Sequence, residues 1–315
     1  MGLYESARAV AGADGSGAID WDAVVAATKH ATDPGSLDVS EAEREGYARD
    51  VRAARERVRE VSGLDFDVPD TVELQNRHHW VESNAETFAR VLAPLDERPA
   101  ALPGVSRRAN TASMTVSLSF LARHVLGQYD PLLLGERDGH ALYFVHPNIK
   151  RAAASLDVEG ERFRRWIAFH EVTHAAEFGA APWLQPYLEE HIQEAVTSVE
   201  NRSLDADALS EMMTAMTAVE GYAELLMDRA FDREYDDLRA KLDARRRQGN
   251  PLTKLLRRLL GLELKREQYE RGAAFFENVV ERTDFGTAAL VWDAPANLPT
   301  DGELDAPAEW IARVA

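Results

Sequence analysis

The 315-residue chain contains no cysteine, which excludes a disulfide framework and any thiolate metal site; a zinc ion here would have to be held by histidine and carboxylate. Lysine is nearly as scarce. Lys29, Lys150, Lys241, Lys254 and Lys265 are the full set, and arginine carries the rest of the positive charge. With 36 Lys and Arg against 54 Asp and Glu, the net charge is −18. That balance argues against nucleic acid or an anionic membrane as partner, because the attraction that drives such binding is reversed in sign. No stretch approaches the roughly 18 apolar residues of a membrane-spanning helix, and the N-terminus lacks a charged segment followed by an apolar one. A cytoplasmic protein is expected. A surplus of surface carboxylates suits high salt, where screening weakens self-repulsion, and points to a salt-loving prokaryote.

What the chain does have is one helix around which the rest is organised, Glu161 to Phe178, reading ERFRRWIAFHEVTHAAEF. His170-Glu171-Val172-Thr173-His174 is an H-E-x-x-H pattern, and on a helix this spacing puts both imidazoles on one face, one turn apart. Two neutral imidazoles supply two of the three protein ligands of an open zinc site, and Glu171, one residue round the helix, is placed to act as general base. Phe163, Trp166, Ile167, His170, His174 and Phe178 share one stripe, so both histidines lie in an apolar face. A plain pair of core histidines would be the alternative, but each ring nitrogen then needs its own partner, whereas a shared cation serves both.

The third ligand must lie further on. A metzincin would need glycine three residues after His174 and histidine three beyond that, and the chain has Glu177 and Ala180. A set of two histidines and one glutamate remains. Glu194 follows His174 by twenty positions but projects off the apolar stripe of its helix (Trp183 to Ser203), towards solvent. Glu220 sits in the following helix, Asp205 to Phe231, among Met212, Met213, Met216 and Met227, where an unpartnered carboxylate would cost several kcal/mol or take up a proton. Zinc coordination removes that difficulty, so Glu220 is the expected third ligand. Glu224, one turn on, is placed to accept the outward N–H of a ligating histidine, and Asp228 to continue that network.

Elsewhere the pattern is helical. Residues 12–17, GADGSG, resemble a phosphate loop only superficially, since no Gly-Lys-Ser/Thr follows. Trp21 to Thr32 reads as a short helix, Ser40 and Glu43 as a capping box opening the next, and Val72 to Leu92 and Thr111 to Gly127 as two more. Ala141 to His146, ALYFVH, is the clearest strand signal. An edge strand beside the active-site helix could hold an extended peptide by backbone pairing; an ordinary core strand is the other reading. Leu252 to Leu264 reads as a basic amphipathic helix and Val291 onward as an extended tail ending in a short helix around Trp310.

The segments HEVTHAAEFGAAPWL, VEGYAELLMD, RRLLGLELKREQYERG and LVWDAPANLPT, with NRHHWVESN, FLARHVLGQYD and YFVHPNI upstream, resemble the zincin-like metallopeptidase type 2 family. Its members are described as hydrolases or as associated with deazaflavin-coenzyme biosynthesis, and occur in actinobacteria and haloarchaea. The resemblance runs from about Ile19 to Val314. It implies a mainly α, zincin-like fold with a small β element, with His170, His174 and Glu171 at the family motif and Glu220 in its Glu-Gly-x-Ala segment. Tyr222 stands where many members have histidine.

The expectation is therefore a single zincin-like domain over residues 1–315, with an N-terminal helical lobe at 1–70 packed on it and the metal-site core at 141–235. Its activity would be zinc-dependent hydrolysis of a peptide or small amide, with Glu171 as the catalytic base and Tyr222, His191 or His146 as oxyanion donor. The rival is a metal-stabilised helical scaffold or partner-binding protein without turnover.

Overall fold

The structure, a computed structural model, describes residues 2–14, 17–69, 72–94, 103–130, 141–200, 206–231, 235–247 and 266–315. The basic segment 252–264 and most of the proline-rich stretch 94–104 lie outside the described residues.

Helices α1 (Gly2–Ala11), α2 (Trp21–Ala31) and α3 (Glu41–Ser62) open the chain. In α3 the capping box forms as expected: Ser40 accepts from the Glu43 backbone and Glu43 from that of Ser40. Gly63 ends the helix in the left-handed conformation, φ 69°. The stretch expected as one helix from Val72 divides. Val72–Gln75 is strand β1, and Asn76 then caps α4 (Arg77–Val91) by accepting from the backbone N–H groups of His78 and His79. Four residues are too few for a strand period to stand out, and this strand exists through pairing with a partner distant in sequence. Helix α5 (Pro103–His124) begins earlier than its apolar run, and Gly127, expected at its end, begins strand β2 (Gly127–Asp130).

Strand β3 is Ala141–Val145. It pairs in parallel with β1, Val72 opposite Leu142 through Gln75 opposite Val145, and antiparallel with β2, Gly127 opposite Phe144 through Asp130 opposite Ala141. The sheet order is β1-β3-β2. The edge-strand reading of ALYFVH is thereby corrected: β3 is central, and Leu142 to Val145 are all buried, as a strand covered on both faces should be. Its backbone has no free side for an incoming peptide.

After β3, Pro147 stands in the first turn of α6 (His146–Leu156). Helices α7 (Gly160–Ala180), α8 (Leu184–Glu200), α9 (Ala206–Ala230), α10 (Asp236–Arg247) and α11 (Arg266–Arg282) follow. The C-terminal part is not the extended tail expected. It is a run of short helices, α12 (Phe285–Ala289), two 3-10 turns, α13 (Asp301–Asp305) and α14 (Pro307–Val314). Pro295 and Pro307 open turns of this run, and Thr300 with Glu303 forms a second capping box. Its Trp292 and Trp310 are fully buried.

The main core joins Tyr47, Val51, Ala54 and Val58 of α3 to the sheet, to α7, α9 and α11 and to the C-terminal tryptophans. A smaller cluster gathers Val24, Trp80, Val81, Met114 and Leu118 from α2, α4 and α5. Helices α9 and α11 meet backbone to backbone: a Cβ on Gly221 would stand 2.4 Å from the carbonyl carbon of Gly272. That crossing sets the height of Glu220, the residue before Gly221. Among the described residues no helix is long and apolar enough to cross a membrane.

Candidate metal centre

Helix α7 presents His170 and His174 on one face with their rings edge to face, centroids 4.7 Å apart. Trp166, one turn before, stacks on His170 at 5.6 Å and 8° between planes, which fixes that ring's orientation. Helix α9 brings Glu220 opposite. One donor atom from each of His170, His174 and Glu220 falls within 4.8 Å of the others, and this is the only such group among the described residues. Donors held about 2.1 Å from a zinc ion at tetrahedral angles stand roughly 3.4 Å apart, so small rotamer adjustments close the set. All three residues are partly exposed. Glu194 is exposed on α8 and outside the group.

Glu171 turns from the same helix towards the sheet. In an antiparallel ladder alternate N–H groups face away from the partner strand, and since Val145 N–H bonds to Leu126 carbonyl, the N–H of Tyr129 faces outward. Glu171 Oε2 accepts it at 2.9 Å. Gly127 makes the room: a Cβ there would lie 2.6 Å from Glu171 Cγ and 2.8 Å from Oε1. Burial pushes the Glu171 carboxyl up to about 7, against the charge of His174 and the Tyr129 N–H.

The residue that sequence reasoning missed is Glu177. It is fully buried, and its Oε2 lies 2.9 Å from His174 Nδ1, which leaves Nε2 as the nitrogen available to a metal. The signal was present in the spacing, since positions three apart on a helix are neighbours. Glu224 and Asp228, expected in that supporting position, both pair with Arg239 of α10: Nη2 is 3.0 Å from Glu224 Oε1, and Nη1 meets Asp228. Of the oxyanion candidates, His146 bonds to Tyr47 Oη at 3.0 Å, His191 is held between the Tyr187 carbonyl and Glu211, and Tyr222 is fully buried.

Charge decides what this constellation can hold. Glu171, Glu177 and Glu220 converge on His174. Burial pushes Glu177 up; burial pulls His174 down, but the hydrogen bond and charge of Glu177, with Glu220 and Glu171, outweigh it and leave the imidazole well above its usual range. Three carboxylates with two imidazoles form an under-neutralised site, and a divalent cation on oxygen and nitrogen donors is what neutralises it. The residues fit a metal ion.

Comparison with known proteins agrees. No curated protein matches the chain. A solved structure from Chloroflexus aurantiacus, described as "a putative hydrolase with a novel fold", superimposes with a TM-score of 0.80 at 31% identity, covering 94% of this chain and 98% of that one. The family model for zincin-like metallopeptidases matches residues 19–206 and 193–311, two overlapping segments that together span most of the sequence. The chain belongs to the zincin-like metallopeptidase family.

Proposed function

We propose that the protein is a zinc-dependent hydrolase of the metallopeptidase type, with His170, His174 and Glu220 as metal ligands, Glu171 as general base, and a peptide or small amide as substrate. The observation that carries this reading is the convergence of the three donors beside a buried glutamate. Family membership and the hydrolase description of the similar structure support it. When bound, zinc supplies Lewis acidity, lowering the pKa of an adjacent water and polarising a carbonyl.

The chain's own residues do the rest. A carboxylate raised to about 7 is matched to taking a proton near neutral pH and returning it to a leaving amine. The Tyr129 N–H fixes one oxygen of Glu171, so the other is oriented without a search over rotamers. Glu177 holds the ring of His174, and Trp166 that of His170. Because β3 is paired on both sides, no peptide can add to it, and substrate recognition is expected from side chains around the donors.

The test is Glu171→Gln assayed with a fluorogenic peptide library and by metal analysis. It should keep one zinc per chain and lose turnover by about 10²–10⁴-fold. Full turnover in this variant would defeat the role of Glu171; one zinc per chain with no hydrolysis in the wild type would favour the non-catalytic scaffold.

A further inference from the structure

Behind His174, three polar atoms are buried without a well-formed hydrogen bond: Glu177 Oε1, Tyr222 Oη and Trp292 Nε1. They come from three elements, α7, α9 and the first 3-10 turn of the C-terminal run, yet they share one neighbourhood. The rings of Tyr222 and Trp292 pack edge to face with centroids 5.3 Å apart at 86°. The charge of Glu177 reaches the Tyr222 hydroxyl, and Trp292 acts on that hydroxyl as a nearby donor would. The other oxygen of Glu177 is the one on His174. The backbone here is tied down as well, since Trp183 Nε1 donates to the Trp292 carbonyl at 2.8 Å.

Leaving one such atom unsatisfied is costly, and leaving three together is more so. Their chemistry is complementary to a single small molecule. An indole offers only a donor, a carboxylate only acceptors, and a hydroxyl either, which is the three-bond environment a buried water occupies. We propose that Glu177, Tyr222 and Trp292 enclose a binding site for one buried water, and that this water fixes the Glu177 carboxylate against His174. Tyr222 and Trp292 are then positioning residues for a metal ligand neither of them touches, and the C-terminal run contributes to the metal centre through them. The consequence for metal affinity rests on the zinc reading above; the water site itself does not.

The test uses the full chain and Tyr222→Phe, which keeps the ring and its packing on Phe276, Phe285 and Trp292. In chelator, removing a hydroxyl that has no partner should raise the melting temperature, whereas removing one held by water should lower it by about 2–4 °C. The same variant should move the ¹⁵N resonance of His174 Nδ1 in chelator and weaken zinc binding by about tenfold. Trp292→Phe, read the same way, serves if Tyr222→Phe does not fold. A rise in melting temperature overturns the water site. A fall with the His174 resonance unmoved overturns its link to the ligand. A wild-type chain that binds no zinc would defeat the zinc reading, while the melt and the resonance still decide this proposal.

Discussion

Helix α7 carries two buried polar clusters, and they differ in charge balance. Near its start Arg164 Nε meets Asp50 Oδ2 at 2.7 Å, both side chains almost fully buried, with the guanidinium over the ring of Tyr47 and Tyr47 Oη on His146. Gly46 opens the space, for a Cβ there would strike the guanidinium at 2.6 Å. One cation faces one anion, and burial holds His146 below its usual range, favouring the neutral ring. Further along, Glu171, Glu177 and Glu220 surround His174; burial pushes Glu171 and Glu177 up, and the carboxylates hold His174 above its usual range. In the first cluster the Arg164–Asp50 pair is balanced as it stands and fastens α3 to α7. The second carries three carboxylates against two imidazoles, a set that could hold a cation. Burial alone does not distinguish a structural network from a ligand site; net charge within the buried volume does.

Breaking the balanced cluster should have the largest effect. Asp50→Ala leaves a buried guanidinium uncompensated and should cost about 3–5 kcal/mol of stability in denaturant unfolding. The loss should be the same with zinc and with chelator, since this cluster owes nothing to the metal. In the unbalanced cluster the sign should reverse. Glu171 is raised from 4.5 to about 7 on folding, so the stability it contributes is full below pH 4.5 and is lost as pH rises through 7. Glu171→Gln does not titrate, and in chelator it should be more stable than wild type by about 1–2 kcal/mol at pH 8, with the gain absent at pH 4. A constant difference across that range would show that Glu171 is not buried as described. The smallest effect sharpens the ligand assignment: Glu194→Gln, on an exposed face of α8, should change neither zinc binding nor stability beyond about 0.5 kcal/mol.

The candidate donor set is legible because helical periodicity carries information over a few turns. H-E-x-x-H places two imidazoles on one face by local geometry alone, and the methionines around Glu220 put it on the inner side of its helix, although the structure leaves it partly exposed. Pairings between elements distant in sequence were not legible in that way. VELQ becomes a strand only through its parallel partner β3, and the central position of β3 follows from both neighbours. Arg239, in the next helix, pairs with Glu224, one turn of α9 from Glu220, a contact that helical periodicity does not reveal. Glu177, three residues after His174, stands at the position of the metzincin glycine, and its pairing with His174 emerges only once both side chains are placed. Capping chemistry, being local, was readable at Ser40 and equally available, though unused, at Thr300.

The central claim is tested most directly by isothermal titration of zinc into chelator-stripped protein, wild type beside Glu220→Ala. One zinc per chain in the wild type is predicted, with affinity in the variant reduced by more than the 10–100-fold expected of an outer hydrogen-bond partner. Equal binding by the two proteins, or none by the wild type, would contradict it.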